Sequence, residues 1–440
     1  MIFAARQVLE KAIEHQSDLY VLFVDLRKAY DSVPRTALWL VLQKLGVPPS
    51  MLQVIRSLHE GMMASVRVGS GQSDSSGVEN GLHQGCTLAP MLFNLYFSAV
   101  LAHWRSTSTV PSFPMKHRIG RKLVGDRTAK HRLTDLSVLE SLFADDAALY
   151  TTSYEHMETM VKEFTQYASG WGLTVSVQKT KFLAVGPSVI RADIVMPGSA
   201  GDVIGVVSDF TYLGSTISDD GELVAEVTTC LAKASRAFGP ATEGDPGRAA
   251  LSGLSLGIRR QVYQALVLIV LLYGSETWTL KAPLLRRLDT SHRQCVRTIL
   301  SVTRDQQWQE HLSSEDLAKP GGMPASLEEA IRANHLRWLG HLARMDDTRL
   351  PKQILFAEGT NKRPRHGPKR RWRDVAASDL RATGIPEAQW YHLAQNRRDW
   401  GERSRRKPLS QPQPRVFVCF CGRDFRGPND LSRNKNYYLA

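Results

Sequence analysis

The chain has 440 residues, 42% of them hydrophobic and 22% charged, a balance that places it among globular proteins able to bury two or three cores. Its formal net charge of +13 is unevenly spread: residues 331–440 hold 24 Lys and Arg against 10 Asp and Glu, leaving residues 1–330 at −1. A localised positive field of this kind draws polyanions, with nucleic acid the first partner to consider and an anionic membrane surface the second.

The five cysteines, Cys86, Cys230, Cys295, Cys419 and Cys421, are odd in number and mostly far apart, which argues against a disulfide framework and for a reducing compartment. The opening "MIFAARQVLEKAIEHQ" has helical apolar spacing and early charges, unlike a secretory leader. The longest apolar run, Val262 to Tyr273, contains Gln264 and falls short of the roughly 20 residues a membrane span needs. It reads as a buried helix, and the expectation is an intracellular, soluble protein.

In chain order, Ile2 to Ile13 is predicted helical, "DLYVLFVDL" is an apolar strand, and "ALWLVLQKLG" and "MLQVIRSLHEGM" are helices stopped at Gly46 and Gly61. "MASVRVG" alternates like a strand, and a Gly-rich loop precedes "LHQGCTLAPMLFNLYFSAVLAHW", irregular at first and then helical. The polar, basic stretch at about 106–135 reads as an exposed excursion. "SLFADDAALY" has two apolar arms around a polar centre, the pattern of a tight hairpin. A helix ending near "YASGWG" and a strand-like "LTVSVQKTKFLAVG" follow, and then "FTYLGSTIS", another strand. Long helical patterns fill the rest, interrupted by "EGTNKRPRHGP" and closed by a Pro/Gln spacer and a Cys-containing tail.

Asp145 and Asp146 are adjacent carboxylates between apolar arms. At contact distance they repel unless one is protonated or a cation lies between them, and hard oxygen donors of this kind suit Mg²⁺ completed by water and substrate phosphates. A further acid is expected for two-metal phosphoryl transfer, and the strand "LYVLFVD" delivers Asp25 at its end.

With Tyr30 five residues beyond Asp25, these pieces match a family in residue and spacing. "FVDLRKAYDSVPR", "GLHQGCTLAPMLFNLYF", "LFADDAALY", "GWGLTVSVQKTKFLAVG" and "YLGSTISDDGEL" resemble, in order, the palm motifs of reverse transcriptases of non-LTR (LINE-type) retrotransposons. "YGSETWTL", "HLRWLGHLARMDDTRLPKQILF" and "GPKRRWRDVAASDL" resemble the C-terminal region of the same elements. The resemblance implies an α+β fold: a palm of antiparallel sheet backed by helices (1–186), palm end and helical thumb (187–310), a basic helical C-terminal domain (311–408), then a spacer and tail (409–440). It implies an RNA-directed DNA polymerase acting on an RNA template, a DNA primer and dNTPs with two Mg²⁺ or Mn²⁺ ions, in the nucleus or cytoplasm and without membrane attachment.

Residue by residue, the resemblance makes Asp25, Asp145 and Asp146 the metal triad, with Asp25 and Asp145 the main ligands and Asp146 either a third or a group tuning the site from behind. Tyr30 takes the steric-gate position against a 2′-hydroxyl. Gln84 and Gly85 take the motif that meets incoming nucleotide and template, and Lys179 takes the position proposed to protonate the leaving pyrophosphate, with Lys181 a competitor on the same strand face. Asp31 is read as a turn or cap.

Residues 361–373 pack seven Lys and Arg into thirteen positions. Lys362, Arg363, Arg365, Lys369, Arg370, Arg371 and Arg373 are read as phosphate contacts, with Trp372 free to stack on a base. The stripe Ile331, His335, Leu336, Trp338, Leu339 and Leu342 is read as core. The tail echoes a C₂H₂ zinc finger at Cys421, Phe425 and Leu431, but its cysteines are C-x-C and the histidine positions hold Asn434 and Tyr438, so no structural zinc is expected. Only 24 residues precede Asp25, where the resemblance implies a fingers region and often an endonuclease. The expectation is a 5′-truncated copy with impaired polymerisation, and the alternative is a non-catalytic nucleic-acid-binding remnant.

Overall fold

A computed structural model describes residues 1–83, 85–118, 133–196, 201–238, 253–364, 370–405, 417–418 and 424–425. Helix α1 (Ile2–His15) leads into strand β1 (Leu19–Val24), a short helix α2 (Ala29–Ser32), α3 (Arg35–Lys44) and α4 (Pro49–Ser57). Four two-residue strands follow, β2 (Met63–Ala64) to β5 (Ser76–Gly77), then α5 (Ala89–Thr107), β6 (Phe113–Arg118), β7 (Leu133–Val138), β8 (Glu140–Phe143), β9 (Asp146–Thr151), α6 (Tyr154–Gly170) and β10 (Lys181–Val185).

The central sheet runs β10-β1-β9-β8, all antiparallel. Every residue of β1 is buried because the sheet is covered on both faces. Tyr20, Leu22 and Val24 face a core with α3, α5 and α6, whereas Leu19, Val21 and Phe23 face a second core with α1. Two-sided burial explains why β1 reads as a continuous apolar run instead of an alternating one.

Local signals set the element ends. The Ser153 hydroxyl accepts from the His156 amide to cap α6, and prolines occupy the first turns of α4 and α5. After a minor pair, β11 (Ile194–Val195) and β12 (Val203–Ile204), "FTYLGSTIS" is a hairpin, β13 (Asp209–Tyr212) with β14 (Ser215–Ser218), turned by Leu213 and Gly214, both with positive φ. Phe210 of this hairpin stacks on Phe23 of β1 at 4.4 Å.

Three expectations are corrected. The stretch 106–135 is not simply an excursion: β6 and β7 pair, Phe113 and Met115 are buried, and β15 (Ala357–Gly359) joins β6 as a third strand. The strand in "LTVSVQKTKFLAVG" is only β10, because residues 176–180 turn. The apolar run 262–273 is half buried. There, α8 (Leu256–Val262), which follows α7 (Val224–Phe238), continues through a π-helical turn, Tyr263–Leu268; Tyr263, Val267 and Leu271 pack inward while Leu266 and Ile269 are 54% and 63% exposed.

Helices α7 and α8 join α9 (Ala282–Leu300) and α11 (Ser314–Gly321) in a third core around Trp278 and Leu288, while the short α10 (Arg304–Gln309) between them has no buried residue. The fourth core joins α12 (Leu327–Arg344), α13 (Leu350–Leu355) and α14 (Trp372–Ala382) with Trp390 and Trp400. Phe3 of α1 belongs to it, edge-on to Trp372 at 4.9 Å. The N-terminal helix thus spans the palm sheet on one side and the C-terminal helices on the other. Among the described residues, no helix is long and apolar enough to cross a membrane.

Candidate active site

Strand β1 ends at Val24, and the next residue is held by its backbone. The Asp25 amide donates to Thr180 Oγ1 at 3.2 Å, and its carbonyl accepts from the Ser176 amide at 2.8 Å. Leu26 bridges to Val175, and the Arg27 amide donates to the Thr174 carbonyl at 2.8 Å. The 174–180 turn therefore fixes where the carboxylate emerges. Nothing in the sequence singled out Ser176 or Thr180, since a clamp between distant segments has no local pattern.

On the neighbouring strand, Phe143 pairs with Asp146, leaving Ala144 and Asp145 as a two-residue hairpin loop with Ala144 at φ 53°. Continuing the register Val24↔Ala147 by one residue sets Asp25 across from Asp146, on the side of the second core. Asp145 stands at the hairpin tip. Burial pushes the Asp146 carboxyl above the usual range, and the charges of Asp145 and Asp25 push it further. The Tyr30 hydroxyl is likewise raised, first by burial and then by Asp145. The charges of Asp145 and Asp25 thus act on Asp146, and that of Asp145 acts on Tyr30.

Oδ2 of Asp25 is buried without a hydrogen-bond partner, and Lys179 Nζ lies 3.5 Å from it. Lys179 is 73% exposed and sits in the turn, not on a strand face with Lys181. A buried carboxylate oxygen without a hydrogen bond, beside two further carboxylates, is a place that draws a cation, and Lys179 is the one that faces it here. Among the described residues, no three His, Cys, Asp or Glu side chains converge into a full metal cage. Asp25, Asp145 and Asp146 are therefore not drawn together as a three-carboxylate metal site among the described residues.

Tyr30 stacks on Phe93 of α5, centroids 4.8 Å apart, and its carbonyl accepts from the Leu82 amide at 2.9 Å. Gly81 is the joint beneath it: at φ 84° a Cβ would fall 2.6 Å from the Asp31 carbonyl oxygen, so only glycine fits. Arg35 pins the same loop, donating to the Gly81 and His59 carbonyls at 2.9 and 2.7 Å. Gly85 has φ 87° and is exposed, while Gln84 lies outside the described residues.

The basic stretch near the C-terminus is corrected in part. Trp372 is fully buried, its indole N–H donating to the Glu276 carbonyl at 2.8 Å and its amide to Glu10 at 2.8 Å, so it cannot stack on a base. Arg371 binds Glu14 at 3.1 Å and Asp374 at 2.7 Å, Arg363 binds Glu14 at 3.0 Å, and Arg373 faces Glu358 at 3.6 Å. Through Glu14, Arg363 and Arg371 tie the C-terminal segment to α1. Burial opposes the charge of Glu14, but Lys11, Arg371, Arg373 and Arg363 outweigh it and hold its pKa below the usual range. Lys362 and Arg370 remain exposed, and Arg365 and Lys369 fall outside the described residues, as do Cys419 and Cys421. The helical stripe keeps its core reading: Ile331, His335, Leu336, Leu339 and Leu342 are buried, and His335 Nδ1 meets Asp379 at 2.7 Å.

Residues 2–217 match the sequence model of a family described as "Reverse transcriptase (RNA-dependent DNA polymerase)". A transposon-derived protein of Caenorhabditis elegans is 28% identical over 59% of this chain and 92% of its own length. The Pol polyprotein of the type-2 retrotransposable element R2DM of Drosophila melanogaster is 25% identical over 39% of this chain, and the RNA-directed DNA polymerase of the mobile element jockey from the same organism is 21% identical over 62%. Those matches span 14% and 27% of the two longer proteins. Among solved structures, apo telomerase from Candida tropicalis is similar over 82% of this chain and 56% of its own, at 15% identity and a TM-score of 0.36.

Proposed function

Because residues 2–217 of this chain belong to the reverse transcriptase family and its relatives include Pol proteins of non-LTR retrotransposons, we propose that the Asp25, Asp145 and Asp146 cluster is the centre at which an RNA template directs addition of dNTPs to a DNA primer. Enzymes of this family depend on divalent metal. The donor set here suits two Mg²⁺ or Mn²⁺ ions, which when bound would acidify the primer 3′-hydroxyl and neutralise charge on the triphosphate.

The chain's own groups do the positioning. Asp25 and Asp145 hold the cations, while Asp146, whose carboxyl is raised first by burial and then by Asp145 and Asp25, is a third ligand or tunes the site from behind. Lys179 neutralises Asp25 in the free protein and is released to donate a proton to the leaving pyrophosphate. Tyr30, braced by Phe93, lies under the sugar and excludes a 2′-hydroxyl. Gly85 lets backbone approach the nucleotide, together with Gln84. Lys362 and Arg370 offer phosphate contacts, joined by Arg365 and Lys369.

The Asp25 oxygen, buried without a hydrogen bond and set opposite Asp146, is the observation that supports this reading best. Primer extension on poly(rA)/oligo(dT) with Mg²⁺ or Mn²⁺ tests it, comparing the chain with its Asp145→Ala, Asp146→Ala double variant. Extension by the parent alone is expected. Equal extension by both, or none by either while both bind the duplex, would sink the catalytic assignment.

A further inference from the structure

Outside the aspartate site, one cavity is lined by cations with no carboxylate to balance them. It has a volume of about 580 Å³ and lies between α9 and α10, bounded by Thr290, Arg293, Gln294, Arg297 and Arg304. Thr290, Arg293 and Arg297 fall at helical spacing on one face of α9. Among the described residues, none of the three arginines is ion-paired with a carboxylate. Their hydrogen bonds are to neutral groups, Arg293 to the Thr290 hydroxyl at 3.3 Å and Arg297 to Gln307 Oε1 at 3.2 Å. Arg297 is held below the usual arginine range by burial and by the like charges of Arg304 and Arg293. Asp305 flanks the cluster, and Asp289 is occupied by Ser326 and the Leu327 amide.

Beside this cavity stands the most exposed large hydrophobic side chain among the described residues. Trp308 is 77% exposed, one helical turn beyond Arg304 on α10. Its helix is not loose: Thr303 and Gln306 form a capping box, and Gln307 donates to the Leu312 carbonyl at 3.1 Å while accepting from Arg297. An exposed indole on a capped helix, next to guanidinium groups that no carboxylate pairs, offers a ligand both a flat apolar face and positive charge.

We propose that this α9–α10 surface binds a single-stranded nucleic-acid segment, with backbone phosphate in the Arg293/Arg297/Arg304 cavity and an unpaired base stacked on Trp308. RNA and single-stranded DNA share this chemistry. The inference rests on the polymerase reading only for the identity of the anion. A duplex does not satisfy both halves, because its bases are already stacked on each other. An anionic membrane surface would also take the indole and the charge, so it is the rival ligand that the test has to separate.

The test is fluorescence anisotropy of the full chain with oligo(U) RNA, oligo(dT) and a blunt DNA duplex across a salt series, with phosphatidylserine vesicles as the rival ligand. Arg293→Ala with Arg304→Ala is expected to lower the slope of log affinity against log salt by about 0.7 for each phosphate no longer neutralised, whereas the corresponding lysine pair keeps the slope. Trp308→Ala is expected to weaken single-strand binding about tenfold while leaving duplex binding within about twofold. Parent-like affinity and slope in correctly folded alanine variants would overturn the proposal, as would Trp308-dependent binding to vesicles alone or no oligonucleotide binding by the parent. Primer extension run in parallel separates the two claims. Arg- and Trp-dependent binding without extension sinks the catalytic reading and leaves this site standing, and extension with indifferent variants does the reverse.

Discussion

Lys179 Nζ lies 3.5 Å from Oδ2 of Asp25, a carboxylate oxygen that is buried and has no hydrogen-bond donor. The lysine comes from an exposed turn and the aspartate from the end of a buried strand, so the pair can open without disturbing the sheet. If Lys179 protonates the leaving group, Lys179→Met should lower the single-turnover rate of nucleotide addition about a hundredfold and flatten the alkaline limb of its pH profile. Lys179→Arg should recover part of the rate. A merely electrostatic lysine would change nucleotide affinity and leave the shape of the profile intact.

Asp146 carries an unfavourable charge without metal, first because it is partly buried and then because Asp145 and Asp25 both act against it. Asp146→Asn should therefore melt higher than the parent at neutral pH in chelator, by about 2 °C, while losing most extension activity. Added Mg²⁺ should raise the parent's melting temperature more than the variant's. A variant that melts lower in chelator would mean that the three carboxylates do not repel one another as the register suggests.

Tyr30 tests the sugar side of the site. Its ring is fixed by Phe93, so Tyr30→Ala should open space for a 2′-hydroxyl and raise ribonucleotide incorporation relative to deoxynucleotide by about 10–100-fold. Tyr30→Phe should keep the parent's discrimination. Unchanged selectivity in the alanine variant would return Tyr30 to a packing role.

Glu14 is almost fully buried and meets Lys11, Arg363 and Arg371. Its lowered pKa means that the ionised form is favoured by folding, so its stabilisation is present above the unfolded carboxyl pKa and is lost as pH falls toward the folded one. Glu14→Gln leaves the cations uncompensated and should cost about 3 kcal/mol at pH 7, with the gap from the parent closing on acidification. Urea melts at several pH values would show it; a pH-independent gap would contradict the charge argument.

Trp372 separates core from interface. Trp372→Ala should destabilise the chain by about 3–5 kcal/mol, whereas Lys362→Ala with Arg370→Ala should leave stability unchanged and reduce the salt dependence of nucleic-acid binding. Unchanged stability in Trp372→Ala together with weakened single-strand binding would return Trp372 to a base-stacking role.

The proposed metal carboxylates, the proposed steric-gate aromatic and the family were legible in the sequence because each rests on a short string of fixed spacing. A strand running into an acid, and two acids between apolar arms, are local statements about a chain with a two-residue period. They locate Asp25, Asp145 and Asp146 without knowledge of the sheet. The helical stripe at 331–342 was legible for the same reason, since its 3.6-residue period identifies a buried face whatever it packs against.

Partner choice was not legible, because it depends on which distant segments meet. Residues 361–373 have the composition of a phosphate-binding strand, yet Glu14, Glu10 and Glu276 lie in helices and turns that only folding brings to Arg371 and Trp372. The arginines of α9 look ordinary in sequence, and the fold leaves them facing a cavity without acids. Composition sets how much charge a chain carries. Whether that charge is neutralised within the protein or left for a ligand is decided by tertiary structure, because Coulomb energy falls with separation in space and not along the chain.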